Sequence, residues 1–162
     1  MRTLIVLLLL SLSVAIFFIS CDSVSDITAP EVEVTRFTPL GWYVIPDLDT
    51  AHIDSVYFKV WNYVEARLTG MTYRFLAISD NHQVGSTHEW GLDMFIDPGT
   101  QDSTVKNILL NVYLNIASAV DYMYANNENT VAEITFSGED DYGKGKEWHY
   151  TIHYSLLLTP TP

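Results

Sequence analysis

The stretch WHYTIHYSLL, residues 148–157, alternates with a period of two over its whole length. Trp148, Tyr150, Ile152, Tyr154 and Leu156 fall on one side, and His149, Thr151, His153, Ser155 and Leu157 on the other. Successive side chains of a strand point to opposite faces, so this chain must build a sheet with one covered and one largely wet face. Upstream, TVAEITFS (130–137) sets Ala132, Ile134 and Phe136 against Val131, Glu133 and Thr135. The two segments predict an antiparallel hairpin joined by the acidic, glycine-containing connection GEDDYGKGKE.

Three further segments read as strands. EVEVTRF alternates Glu31 and Glu33 with Val32 and Val34; TYRFLAIS opposes Arg74, Leu76 and Ile78 to Tyr73, Phe75 and Ala77; WGLDMFIDPG aligns Trp90, Leu92, Met94 and Ile96 before Pro98 and Gly99 stop it. GWYVIPDLD, interrupted by Pro46, reads as a packed loop or irregular edge. Residues 51–68 carry a stripe of Ile53, Val56, Val60, Val64 and Leu68, with Asp49 or Thr50 able to cap its start and Gly70 suited to the position past its end. Alternation of Val56, Phe58, Val60, Asn62 and Val64 competes, but a stripe of four turns with signals at both ends favours a helix. A second helix is predicted over 103–127, where Val105, Ile108, Leu109, Val112, Ile116, Ala119, Val120 and Met123 recur at three and four residues and Asn126 or Asn127 can close the end. The expected fold is therefore α+β, a largely antiparallel sheet with two helices packed on one face in the order βαββαββ.

The amino terminus has a different logic. Met1 and Arg2 give a positive start, residues 4–19 are almost wholly apolar, and small Ser20 precedes Cys21, the sole cysteine. That is the order of a secretory signal segment, and the apolar run falls short of the roughly 20 residues that cross a bilayer comfortably. FISC, residues 18–21, resembles the lipobox of bacterial lipoproteins, with Phe18 where leucine is commoner. The resemblance implies a signal peptide over 1–20, cleavage before Cys21, a diacylglycerol anchor and often an N-linked palmitate on that residue, and a mature protein held in the cell envelope. Two or more acyl chains make such anchoring stable. Asp22 is similar to an inner-membrane retention signal of enteric bacteria, a rule that differs between bacterial groups, so the leaflet stays unassigned. Residues 21–30 form the anchored cysteine and a short tether, and 31–162 a single domain. With no second cysteine, that domain stands on its core alone.

Eight Lys and Arg face 20 Asp and Glu, and loss of Arg2 with the leader brings the net charge near −13. Such a field opposes nucleic acid and anionic lipid, and suits cationic partners or plain solubility. His82, His88, Glu89 and Asp93 are the first residues to consider for a metal, but no HExxH pattern occurs and they alternate across strand faces. His149 and His153 share a strand face about 13 Å apart, too far for joint ligation of one ion. Glu139, Asp140 and Asp141 lack calcium-loop spacing. No GxSxG turn is present, and an acylated Cys21 offers no nucleophile. No catalytic, metal or cofactor residue is assigned. Trp42, Tyr43, Trp90 and Trp148 can serve a ligand surface or a core. ARLTGMTYRFLAIS, residues 66–79, is similar to the strand, hairpin and strand around the first inhibitory loop of cystatins, which would imply protease inhibition, although Arg67 stands near the usual glutamine and no Pro-Trp loop follows.

The expected function is thus a noncatalytic, membrane-anchored envelope lipoprotein with a protein-interaction or structural role, an envelope protein as partner and a homodimer as one form. A binding module for a peptide, sugar or other small envelope ligand is the first alternative, and a metal-dependent or carboxylate hydrolase the second.

Overall fold

The structure, a computed structural model, describes residues 28–99 and 107–159. The signal peptide, Cys21 and most of the tether lie outside the described residues, as do residues 103–106 of the expected second helix. In chain order the elements are β1 (Val32–Thr38), β2 (Gly41–Val44), β3 (Thr50–Val60), β4 (Ala66–Ala77), β5 (Gln83–Ile96), β6 (Asn107–Asn115), α1 (Ala117–Asn126), β7 (Thr130–Asp140) and β8 (Glu147–Leu158).

The strands make two sheets, one of order β1-β3-β6 and one of order β2-β8-β7-β4-β5. All pairings are antiparallel except that of β2 with β8. Their apolar faces meet as a sandwich. Phe58 of β3 meets Phe136 of β7 edge-on at 5.2 Å, and Phe37 of β1 lies 6.3 Å from Tyr154 of β8. Two polar contacts cross the same gap: the Tyr154 hydroxyl donates to the His52 carbonyl at 3.2 Å, and the Asn115 amide donates to the Tyr73 hydroxyl at 2.9 Å. Buried tyrosines keep a partner for the hydroxyl in this way. Ala119, Val120 and Met123 of α1 join the core.

This arrangement overturns the expected α+β sheet with two helices on one face and its βαββαββ order. Among the described residues there is one helix. Residues 51–68 instead form β3, a turn and the start of β4, because the buried positions change phase within the strand. Ala51 and Ile53 are buried, then Ser55 and Val56 together, then Phe58 and Val60. The phase change leaves Ile53, Val56 and Val60 at spacings of three and four, which imitates a helical stripe. Gly70 lies inside β4, not past a helix end.

The second stripe is split for a related reason. Asn111 takes a left-handed φ of 59°, a conformation that asparagine tolerates better than most side chains, and the alternation of Val112, Leu114 and Ile116 starts anew after it. Of the expected helix's described residues only Ala117–Asn126 are helical, and Asn127 closes the helix in the left-handed conformation, its amide donating to the Met123 carbonyl. GWYV is a true edge strand. The hairpin of β7 and β8 forms with Glu139 opposite Glu147. Ala66–Ala77 is one strand, so the hairpin that the likeness to cystatins requires is not there.

Candidate functional site

Because β4 sits between β7 and β5, and β7 between β4 and β8, the polar halves of their alternations merge into one outer face. Thr72 pairs with Thr135, which pairs with Thr151, and Arg74 pairs with Glu133, which pairs with His153. Two cross-strand rows result, one of hydroxyls and one of charges. The Thr135 and Thr151 hydroxyls are 2.9 Å apart. Arg74 sends Nε and Nη2 to the same oxygen of Glu133, Oε1, at 2.8 and 2.7 Å. That leaves Oε2 towards His153, whose Nε2 is 3.8 Å away. Thr87 of β5 completes an open trough of about 210 Å³ lined by Thr72, Tyr73, Arg74, Thr87, Glu133 and Thr135.

The trough offers hydroxyls that donate and accept, a guanidinium and a carboxylate. It is suited to amide or hydroxyl groups laid across the sheet. Neither Arg74 nor Glu133 was singled out from the sequence; the signal that marks them is the wet side of the alternation whose apolar side located the core.

The structure disperses the other candidates. His82 lies in the β4–β5 turn, 2.6 Å from Asp80, with its ring edge-on to Tyr122. His88 turns inward and stacks on Tyr73 at 4.7 Å. Glu89 faces outward opposite Thr72, and Asp93 pairs with Arg67 at 2.7 Å. His149 and His153 share the outer face of β8, where His149 stands opposite Ser137. Among the described residues no three His, Cys, Asp or Glu side chains gather as a metal group. Asp140 is buried and its carboxylate accepts the amides of Lys146 at 2.6 Å and Lys144 at 3.0 Å, which holds it below the usual carboxylate range. It shapes the β7–β8 turn. Trp148 is buried, Trp42 half-buried, and Trp90 and Tyr43 exposed.

A second polar cluster fastens α1 to the β4–β5 turn. Glu128 accepts the Ser79 amide at 2.6 Å and the Tyr122 hydroxyl at 2.9 Å. Those bonds lower the Glu128 pKa, and the same carboxylate raises that of Tyr122. Asp80 is lowered in turn by the side chain and amide of His82.

No protein-family model matches the chain, and no curated protein sequence matches it. Among solved structures it is similar to the sporulation control protein Spo0M of Bacillus subtilis, with a TM-score of 0.41 and 10% identity over 84% of this chain and 51% of that one. The chain spans about half the length of that protein, and so low a TM-score carries no argument about fold or activity. Among the described residues no helix is long and apolar enough to cross a membrane.

Proposed function

We propose that the chain is an exported lipoprotein, acylated on Cys21 and held at a bacterial envelope membrane, whose sandwich works without catalysis as a binding surface for another envelope protein. The anchor half of this reading rests on the signal segment and FISC. The binding half rests on one observation, the open trough at Arg74 and Glu133 on the outer face of the five-stranded sheet. Its volume of about 210 Å³ falls below the roughly 300–1,000 Å³ of sites that enclose a small molecule. A strand or loop of a partner fits across such a face better than a ligand enclosed within it. The hydroxyl row of Thr72, Thr135 and Thr151 also favours a second reading, a hydroxyl-rich ligand such as a sugar.

Two measurements test the two halves. Mature protein should begin at Cys21 by mass spectrometry and leave the membrane fraction on Cys21→Ala; mature protein that retains Met1 refutes the anchor. A photo-crosslinking residue placed at Thr151 should give one discrete adduct in intact cells, diminished by Arg74→Ala with Glu133→Ala. An adduct of twice the chain mass identifies a second copy as the partner. Absence of any adduct, or equal yields from position 52 on the other sheet, refutes the binding surface.

A further inference from the structure

The chain enters the sandwich at the end where β1 begins, beside the β3–β4 turn. Asn62 fastens the entering chain there: its side-chain amide donates to the Ala29 carbonyl at 2.8 Å and its Oδ1 accepts the Glu31 amide at 3.1 Å. The Trp61 amide also donates to the Glu31 carbonyl. The β3–β4 turn is joined to the β7–β8 turn by the Asp141 amide, which donates to the Glu65 carbonyl at 3.0 Å. Both turns therefore flank the point where the chain enters the sandwich.

These turns expose aromatic rings. Trp61 is 51% exposed, Tyr63 55% and Tyr142 48%. Tyr63 holds a left-handed φ of 57°, a conformation in which bulky side chains are uncommon. Lys59, Lys144 and Lys146, all the lysines among the described residues, are exposed at the same end. The ammonium of Lys59 lies over the Trp61 ring at 3.2 Å, and the indole nitrogen donates to Glu33 at 2.6 Å. Rings with a polar tip, beside lysines whose stems are apolar, suit the layer between water and hydrocarbon.

We infer that this end rests on the headgroup layer of the membrane that holds Cys21, with Trp61, Tyr63 and Tyr142 in contact with lipid. The inference deepens the anchored reading and rests on it. Ala29 lies eight residues after Cys21, a length of chain that reaches at most about 29 Å when fully extended. The opposite end, at the β2–β3 turn where Ile45 is 54% exposed, stands farther off by the length of β3, whose 11 residues rise about 36 Å. That end carries no lysine among the described residues. Glu31, Glu33, Glu65 and Asp141 share the anchored end, so an anionic lipid field is not what holds it. Ring contact does, with the lysines reaching phosphate oxygens.

The test uses the full acylated chain in phosphatidylcholine vesicles that contain a headgroup-quencher lipid. Since acylation occupies the sole cysteine, Tyr142→Cys or Ile45→Cys supplies one free thiol for an environment-sensitive fluorophore. The label at 142 should be quenched and the label at 45 should not, and Trp61→Ser with Tyr63→Ser should reduce the quenching at 142. Quenching in phosphatidylcholine alone should equal that with added anionic lipid. Equal quenching at both positions overturns the inference, as does a label at 142 that only a water-borne quencher reaches. A label at 142 shielded from both quenchers also overturns it, because a protein then covers that end. Flotation with the vesicles separates the failures: protein that does not float defeats the anchored reading, whereas floating protein with an unquenched label at 142 defeats this inference alone.

Discussion

The contact between Phe58 and Phe136 allows the sandwich to be tested by energetics. Both side chains are buried, and their rings meet at 90° with centroids 5.2 Å apart, one from each sheet. Replacing either by leucine keeps an apolar side chain of similar bulk, so each single change should cost about 1.5 kcal/mol. An edge-to-face pair contributes about 1 kcal/mol beyond the area it buries. Phe58→Leu with Phe136→Leu should therefore be less destabilised than the sum of the single variants by about that amount. Urea unfolding followed by near-ultraviolet circular dichroism reads the difference. At a denaturant slope near ~2 kcal/mol/M, each single variant loses about 0.7 M in its midpoint. Costs that add to within about 0.3 kcal/mol would mean that the two rings do not touch, and the face-to-face arrangement of β3 and β7 would fall with them.

Two other outcomes follow from local geometry. At Gly138 an added Cβ would strike the Arg67 carbonyl and lie 2.8 Å from the Trp148 indole carbon Cε2. Gly138→Ala should cost about 3 kcal/mol, a melting-temperature loss of roughly 10 °C by calorimetry; an unchanged melting temperature would contradict the close β4–β7–β8 packing. Asp80, Glu128 and Asp140 all have carboxyl pKa values lowered in the folded state, by the His82 side chain, the Ser79 amide and the Lys146 amide respectively. In the window between the unfolded and folded values the native state binds fewer protons, so stability is full above the ordinary carboxylate range and falls as pH drops through the folded values. Urea midpoints measured from pH 5 to pH 2 should decline, and the decline should flatten when all three are changed to amides; an unaltered slope would refute the assignment.

The strands most legible in the sequence, β7 and β8, are those whose alternation runs unbroken. β8 keeps Trp148, Ile152, Tyr154 and Leu156 buried without a phase change, and β7 does the same with Ala132, Ile134 and Phe136. β3 and β6 were misread because each interrupts its own period, one at Ser55 and Val56 and the other at Asn111. A broken period of two, read by spacing alone, yields the threes and fours of a helix. The choice was settled by pairing between distant segments, Ile53 with Val112 and Val56 with Leu109, which no local window contains. The candidate site was hidden by the same dependence on distance. Arg74 and Glu133 are 59 residues apart, and only the order of strands in the sheet brings them together.

The parallel pairing of Gly41–Val44 with Ser155–Leu158 has a consequence for the order in which the fold can assemble. Among the described strands β2 finds its neighbour only in β8, and the Val44 carbonyl is met by the amide and hydroxyl of Thr159. A sheet closed by pairings this remote forms slowly, since a long loop must be drawn in before any bond rewards it. For the exported chain proposed above, such tardiness is useful. A polypeptide threaded through a membrane must stay extended, and this one cannot complete its larger sheet until residues 155–158 have been made.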